Sequence, residues 1–364
     1  MILVKKYSKI LLIAVIIISL FGTLMIYSSS YVWAEYKFND PYKYLKSQSI
    51  FLILGYIIMY IVSKFPYQNY KKLSNIIFFI CLSMLILVLI PGIGTVRNGS
   101  RSWFGIGSLG IQPSEFTKLG LIIFTSKYLT NNDKDLKNIK KGVFPILGIL
   151  LLVFALIMLE PDFGTGVVIV ITIIVLLFIS GVKMNFFIKL GILGLLGVVI
   201  LVIIAPYRME RIISFINPWS DPLGSGFQII QSLYAIGPGG LLGLGFGNSV
   251  QKHFYLPEPQ TDFIFSIISE EFGFLGVIIV STLFITIIYS GFKISMYSED
   301  KFGKYLAFGI TFGLAFQSLL NLMVVVGLIP VTGVTLPFLS YGGSSLLISL
   351  ISIGILLNIS KYHN

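Results

Sequence analysis

The chain has 364 residues, of which 56% are hydrophobic and only 11% are charged, and its mean hydropathy is +0.93. A soluble protein carries about a quarter charged residues, and the apolar runs here are too continuous for the alternating strands of a membrane β-barrel. The net charge of +11 comes mainly from Lys residues between the apolar runs. This pattern is typical of a polytopic helical membrane protein and argues against a nucleic-acid partner.

Ten apolar runs predict ten transmembrane helices in an all-α polytopic fold. Each run is close to the roughly 20 residues that cross a bilayer. The first run follows Lys5, Lys6 and Lys9 but lacks a small-residue cleavage site, so we interpret it as a retained helix rather than a signal peptide. The predicted spans are 10–28, 47–63, 73–90, 116–130, 143–159, 165–181, 187–205, 263–291, 304–328 and 337–358.

The charge distribution predicts an orientation with both termini in the cytoplasm, because this places most Lys residues on the inner side. The chain then forms a single membrane domain, 1–364, with two long outer segments at 91–112 and 206–262. The second is a large extracytoplasmic loop between helices 7 and 8. It contains aromatic and apolar residues throughout, so we expect it to be ordered, with a short helix at 226–236. In this orientation every Arg lies on the outer side, namely Arg97, Arg101, Arg208 and Arg211. Arginine can bind phosphate through two hydrogen bonds or form ordinary salt bridges.

The first outer segment leads into a helix start, IQPSEFTK. Ser114 is interpreted as a possible N-cap, and Glu115 and Lys118 stand three residues apart, as an ion pair on one helical face requires. Such a pair could simply hold the helix end. Alternatively, Lys118 forms a cationic patch with Arg97 and Arg101 that faces a phosphate at the membrane surface.

The turn LEPDFGTG joins the fifth and sixth spans and carries Glu160 and Asp162. Asp162 or Thr165 could cap the sixth helix. The alternative is a carboxylate that binds a divalent ion or the cations of the first outer segment.

The stretch 252–273 joins the large loop to the eighth span. Asp262 follows two prolines and is interpreted either as the N-cap of this span or as a reactive carboxylate at the membrane interface. Glu270 lies about 12 Å deeper along the helix. Glu270 and Glu271 are therefore predicted to be structural, pairing with Lys118 or with backbone groups in the bundle.

The segment VTGVTLPFLSYGGSS, residues 331–345, combines a proline, paired glycines and serines. It predicts an irregular or re-entrant start to the last helix, where free amide groups could contact a lipid head group. The Gly-rich GPGGLLGLGFG in the large loop is not a P-loop, because it lacks the Gly-Lys-Ser/Thr ending.

Together these stretches resemble the SEDS family, the membrane glycosyltransferases of the FtsW, RodA and SpoVE group. The matching motifs are GSRSWF, IQPSEFTK, EPDFGT, NPWSDPLGSGFQIIQSL, GPGGLLGLGFGNSVQKHFYLPEPQTDFIFSIISEEFG and LPFLSYGGSS, in this order over residues 97–345. The long central motif is more similar to the division and sporulation members. The chain departs from the pattern at Ser102, where many members have Arg, and at Pro259 and Gln260, where the family often has a His.

The resemblance implies a polymerase of lipid II, an undecaprenyl-pyrophosphate-linked disaccharide peptide, acting at the outer face of the bacterial cytoplasmic membrane in cell division or sporulation. It implies a β-1,4-linked glycan product and inversion at the anomeric carbon. The family's essential Asp corresponds to Asp262, the predicted general base, and its outer-loop Trp to Trp103. A class B penicillin-binding protein, a transpeptidase, is the implied partner, besides membrane lipids. The residues predicted to bind substrate are Trp103, Arg101, Arg97, Gln112, Ser114, Glu115, Lys118, Asp162, Lys252 and Ser340.

The chemistry of such a transfer fits these residue types. A pyrophosphate leaves without a general acid, so one base and cationic groups, or a divalent cation such as Mg or Mn, suffice. A helix N-terminus would lower the pKa of Asp262, whereas burial and nearby Glu258 would raise it. Two other functions stay open. A lipid II flippase or transporter would need polar groups along a path across the bilayer. A non-catalytic scaffold of the cell-wall synthesis complex would not need Asp262 at the interface.

Overall fold

The computed structural model describes residues 2–97, 100–105, 110–204 and 206–362, without the side chains of Ile2, Leu3, Arg97, Lys137 and Pro206. This part of the chain forms twelve α-helices and one two-stranded antiparallel sheet. The elements are α1 (Ile2–Phe38), α2 (Lys43–Lys64), α3 (Tyr67–Leu89), β1 (Thr95–Arg97), β2 (Ser100–Trp103), α4 (Pro113–Asn131), α5 (Phe144–Leu159), α6 (Phe163–Ile179), α7 (Met184–Ile204), α8 (Pro206–Ile216), α9 (Phe227–Ile236), α10 (Ile264–Met296), α11 (Lys301–Val325) and α12 (Gly343–Ile359).

Each of the ten predicted spans overlaps one of these helices, and the protein is a multi-pass helical membrane protein. Among the described residues, seven helices are long and apolar enough to cross a bilayer, namely α1, α2, α3, α5, α7, α10 and α11. The helices α6 and α12 are apolar but shorter, at 17 residues each. The helix α4 is less apolar because it carries Glu115, Lys118 and Lys127.

The helix α4 lies inside the bundle, and this position accounts for its polar composition. It packs against α3, α6, α11 and α12, and most of its residues are buried. Around it, α1 packs against α10 and α2 packs against α12. The helix α7 lies at the edge, with none of its described residues buried and its main contacts to α8.

The long connections meet at one end of the bundle, which we call the loop-rich end. It comprises the described parts of the connections that follow α3, α5, α7 and α11. The Ser100 hydroxyl donates to the Glu160 carbonyl. The Tyr341 N–H donates to the Gln260 carbonyl over 2.8 Å. The Gln112 N–H donates to the Ser344 hydroxyl at the start of α12 over 3.0 Å, so the two pairs of connections also contact each other.

The large loop is ordered and contains helices, as its apolar composition predicts. The short helix expected at 226–236 is confirmed as α9, and α8 forms an additional helix at the start of the loop. The Ser232 hydroxyl on α9 lies 2.7 Å from the Ser266 hydroxyl and donates to the Val325 carbonyl over 2.7 Å. These bonds hold α9 against α10 and α11.

The helix α10 is interrupted at Gly273, whose φ of 59° and ψ of −156° lie outside the helical range. The Gly-rich part of the large loop fills the break, and its backbone replaces the helix's own hydrogen bonds across it. The bonds, from N–H donor to carbonyl acceptor, are Leu244 to Glu270 (2.9 Å), Gly245 to Glu271 (3.0 Å), Phe274 to Gly240 (2.9 Å) and Leu275 to Leu241 (3.1 Å).

This insertion explains the Gly-rich motif that no phosphate-binding pattern accounted for. Gly243 has a φ of +78°, and a Cβ atom there would lie 2.2 Å from the Glu271 carbonyl oxygen. Only glycine tolerates both the left-handed conformation and this approach of two backbones. The motif thus packs the backbone of the large loop into the break in α10.

Candidate active site

Asp262 lies at the loop-rich end, immediately before α10, and is half-buried. The N-cap position of α10 is Phe263, and no side chain caps this helix, so the interpretation of Asp262 as an N-cap is wrong. The Asp262 Oδ2 atom lies 3.8 Å from where a side chain on Gly333 would begin. The Asp262 backbone carbonyl accepts a hydrogen bond. The Asp262 carboxyl has no hydrogen-bond partner among the described residues.

The backbone on both sides of Asp262 is held by the neighbouring elements. The Asn321 amide on α11 donates to the Asp262 carbonyl over 2.7 Å and to the Val334 carbonyl over 2.8 Å. Asn321 was not predicted as a site residue, although an amide inside an apolar span is a signal that could have identified it. Its bonds fix Asp262 against the irregular segment before α12.

The surroundings of Asp262 raise its pKa to about 6. The largest cause is burial of the carboxyl, and the negative charges of Glu258 and Asp162 act in the same direction. The Arg211 guanidinium lowers this pKa. It also donates to the Val331 carbonyl over 3.0 Å, which orients it at the same surface. A carboxyl with a pKa of about 6 is ionised at neutral pH yet basic enough to accept a proton.

Asp162 joins the start of α6 to the start of α4. It accepts hydrogen bonds from the Gln112 amide over 3.0 Å and from the Ser114 hydroxyl over 3.2 Å. It also accepts from the Thr165 N–H over 3.2 Å, which confirms the predicted cap of α6. The interpretation of Ser114 as an N-cap is wrong, because the N-cap position of α4 is Gln112 and the Ser114 hydroxyl turns to Asp162 instead.

Glu160 is a buried carboxyl beside this group. Both carboxyl oxygens are buried and have no hydrogen-bond partner within the described part of the chain. Burial, and next the charge of Asp162, raise the pKa of Glu160 to about 9. Glu160 is therefore a neutral carboxylic acid at physiological pH.

Glu115 and Lys118 form the predicted i,i+3 pair, with 2.8 Å between the Lys118 Nζ and Glu115 Oε2 atoms. Lys118 also donates to the Gln317 Oε1 atom on α11 over 2.5 Å. The Gln317 amide in turn donates to the Thr335 carbonyl over 3.0 Å. All of this lies inside the bundle, so the pair links α4 to α11 and to the segment before α12. Gln317 is a second polar residue on α11 that the sequence reasoning missed.

Three further predicted residues lie at the loop-rich end. Arg101 and Trp103 are partly buried on β2. Ser340 is buried and its hydroxyl accepts a hydrogen bond from the Leu336 N–H over 2.8 Å, which closes the turn before α12. Arg97 stands on β1, but its side chain lies outside the described residues.

Lys252 is separated from this surface. It is 2% exposed, and its Nζ atom lies 2.8 Å from Glu271 and 3.3 Å from the Ser28 hydroxyl. Lys252 was predicted to bind substrate, but we do not include it in the site proposed below. Glu271 pairs with Lys252 and not with Lys118, which corrects one of the predicted alternatives. Glu270 binds backbone N–H groups, as the other alternative predicted.

The sequence predicted a divalent cation at the site. Over the residues that the structure describes, no three His, Cys, Asp or Glu side chains come together as metal ligands. A structural metal site uses several such ligands at once. The cation stays a prediction.

The fold and the site define a class: a multi-pass helical membrane protein with a half-buried carboxyl among the loops at one end. Residues 8–364 match the profile of the FtsW, RodA and SpoVE family, described as cell cycle proteins. The chain belongs to this family.

Individual relatives agree with this assignment. The chain is 51% identical over 360 residues to stage V sporulation protein E of Bacillus subtilis (strain 168), covering 98% of both chains. It is 41% identical to the probable peptidoglycan glycosyltransferase FtsW of Geobacter sp. (strain M18), covering 98% of this chain and 97% of the relative.

Two solved structures share its architecture. A chain of a peptidoglycan synthase complex superposes with a TM-score of 0.78 at 29% identity, over 96% of both chains. The rod shape determining protein RodA of Thermus thermophilus gives 0.71 at 27% identity, over 96% of this chain and 95% of the other.

Proposed function

We propose that this protein is a peptidoglycan glycosyltransferase that polymerises lipid II into β-1,4-linked glycan strands. The observation that carries the proposal is the half-buried Asp262 carboxyl, which is unpaired among the described residues and has a pKa of about 6. The FtsW relative's name as a probable peptidoglycan glycosyltransferase supports the same chemistry.

Asp262 acts as the general base in this reaction. Its carboxylate removes the proton from the 4-hydroxyl of an acceptor GlcNAc as that oxygen bonds to the donor MurNAc anomeric carbon. The bond from that carbon to the undecaprenyl pyrophosphate breaks on the opposite face, so the configuration inverts. The electron pair leaves with the pyrophosphate, which needs no proton from the enzyme. Arg211 and Arg101 stabilise its negative charge.

The proposed substrate surface surrounds Asp262. Trp103, Gln112, Ser114 and Asp162 line it, together with Arg101. The ion pair of Glu115 and Lys118 lies beneath, and Ser340 holds the turn opposite. A divalent cation, Mg or Mn, would take most of its ligands from pyrophosphate and water, as Mg commonly does, and the steps above do not depend on it.

The proposed topology has ten spans, both termini in the cytoplasm and the loop-rich end on the outer face of the bacterial cytoplasmic membrane. The segment 206–262 is then the large extracytoplasmic loop of a single membrane domain, 1–364. Support comes from the charge pattern, since Lys64, Lys141 and Lys183 flank helix ends opposite to Asp262.

The proposed partner is a class B penicillin-binding protein, a transpeptidase with a single membrane helix. Support comes from the similarity to a chain of a peptidoglycan synthase complex. The stage V sporulation relative and the FtsW relatives support a role in sporulation or division cell-wall synthesis.

The test uses the purified protein with its transpeptidase partner in detergent, where no membrane barrier exists, with lipid II as substrate. Formation of glycan strands is the expected result. Failure to form glycan, combined with movement of labelled lipid II across vesicles that contain the protein, would establish the transporter instead. Failure of both would leave the scaffold function.

A further inference from the structure

The two carboxylates that follow Asp262 on α10 are the centre of a buried polar network. Glu270 accepts hydrogen bonds from the Ser249 hydroxyl over 2.5 Å and from the Val250 N–H over 2.8 Å. Both donors belong to the last part of the large loop. Glu270 therefore fastens this part of the loop to α10.

Glu271 makes a second, ionic attachment. Its Oε1 atom lies 2.8 Å from the Lys252 Nζ atom, and both side chains are 0% exposed. The Ser28 hydroxyl on α1 donates to the Glu271 carboxylate, with 2.6 and 2.7 Å to its two oxygens. The Ser249 N–H adds a bond of 3.3 Å. The charge of Glu271 is thus satisfied by the loop and by α1 together.

The position of this pair along the chain allows it to hold the segment that carries Asp262. Lys252 and Glu271 stand about equally far before and after Asp262 in the sequence. The ion pair closes the base of the excursion 253–270, and Asp262 lies near its middle. The break at Gly273 removes the helix bonds that would otherwise tie this excursion to the rest of α10.

We propose that the Lys252–Glu271 ion pair is a positioning device for the base of the glycosyl transfer: it holds the first turns of α10 so that Asp262 faces Gly333. Neither residue touches the reacting groups. The inference rests on the proposed function, because it takes Asp262 as the base. A buried pair of this kind tolerates the loss of one partner poorly, since the other charge is left uncompensated.

A cross-link measures the position of Asp262 without relying on catalysis. In a Cys81→Ala background, the pair Asp262→Cys and Gly333→Cys is oxidised in the full-length protein, and the linked fraction is counted with a thiol-reactive label. We expect the additional change Lys252→Met to lower the linked fraction at least about twofold. The matched control is Lys301→Met, whose pair with Asp133 is exposed, and it should leave the fraction unchanged.

A double variant separates positioning from simple folding. Lys252→Met with Glu271→Gln removes both buried charges, so no uncompensated charge opposes folding. In the native-cysteine protein, we expect this variant to be purified with the yield of the wild type. Its turnover of lipid II should fall about tenfold or more while KM changes little, because misplacement of a catalytic group by about 1 Å costs up to 100-fold.

The outcomes distinguish this inference from the proposed function. The positioning role is overturned if the folded double variant turns over like the wild type, or if Lys252→Met leaves the linked fraction of the Asp262→Cys, Gly333→Cys protein unchanged. Unaltered polymerisation by Asp262→Asn overturns the assignment of the base. The cross-link would then still report whether the ion pair places residue 262.

Discussion

At the residue scale, the chemistry rests on how the protein sets the ionisation of individual carboxyls. Burial of the carboxyl and the negative charges of Glu258 and Asp162 raise the pKa of Asp262 by more than the Arg211 guanidinium lowers it. Asp162 is likewise half-buried, and burial raises its pKa, but its carboxylate accepts three hydrogen bonds, from the Gln112 amide, the Ser114 hydroxyl and the Thr165 N–H.

The ionisation of Asp262 predicts the acidic limb of the pH–rate profile. Because the base must be deprotonated, polymerisation should fall below an apparent pKa of about 6. Arg211→Gln should move this limb to higher pH, because the guanidinium lowers the pKa of Asp262. The profile of kcat/KM from pH 5 to 8 measures both effects. Arg208→Gln is the control, and an unmoved limb in Arg211→Gln would contradict the electrostatic account.

The neutral Glu160 predicts a pH-dependent stability. Its pKa rises from 4.5 to about 9 on folding, so the folded state holds a proton that the unfolded state releases, and stability falls as pH rises between these values. Glu160→Gln should therefore be more stable than the wild type, by an amount that grows by at most about 1.4 kcal/mol per pH unit. Thermal unfolding in detergent at pH 5 and pH 8 checks this. Exposed Glu210→Gln serves as control, and an advantage that shrinks with pH would refute the assignment.

At the scale of elements, the insertion of the Gly-rich loop into α10 is the most consequential feature. The hydropathy of 263–291 is continuous and predicts one uninterrupted helix, so the break at Gly273 was not predictable from periodicity. The residues that fill the break lie about 30 positions earlier in the chain. Their pairing is tertiary, and neither segment reveals its partner by composition. The presence of ordered helix within the large loop, in contrast, followed from its apolar content.

Gly243→Ala directly tests the insertion of the Gly-rich loop into α10. The new methyl group would lie 2.2 Å from the Glu271 carbonyl oxygen in a left-handed conformation, so the two backbones must separate. We expect a destabilisation of about 1–3 kcal/mol, seen as a lower midpoint of thermal unfolding, and reduced polymerisation. Gly237→Ala is the matched control, because its φ is −56° and a Cβ atom there meets open space. Equal unfolding midpoints and equal polymerisation by the two variants would rule out the insertion of the loop as a structural constraint.

At the scale of the whole molecule, the residues around Asp262 that form the candidate site lie at the loop-rich end of the bundle. The helices that overlap the predicted spans, and the position of Asp262 before α10, could be predicted, because hydropathy and the motif around Asp262 are local signals. The contacts of Asn321, Gln317 and Lys252 could not, because each depends on which helices become neighbours. Ser114 was misjudged for the same reason: a serine near a helix start is a good cap until a carboxylate from another connection competes for its hydroxyl.

The orientation of the bundle predicts which cysteines a membrane-impermeant reagent reaches. In a Cys81→Ala background, Ser225→Cys in the large loop should be labelled on intact cells. Lys134→Cys, at the opposite end, should be labelled only after permeabilisation, because Lys-rich connections stay inside. Both positions are exposed in the structure, so access to the thiol does not limit the reaction. The reverse labelling pattern would invert the topology and place Asp262 on the cytoplasmic side.

The central claim is that the Asp262 carboxylate is the base for glycan polymerisation. The most direct measurement is the rate of glycan formation from lipid II by the purified complex at pH 7.5, with Asp262→Asn compared with the wild type. Asp221→Asn, an exposed change in the same loop, is the matched control. We predict that Asp262→Asn slows polymerisation by at least about 100-fold, while Asp221→Asn stays within a few-fold of the wild type. A rate for Asp262→Asn equal to that of the wild type would contradict the account.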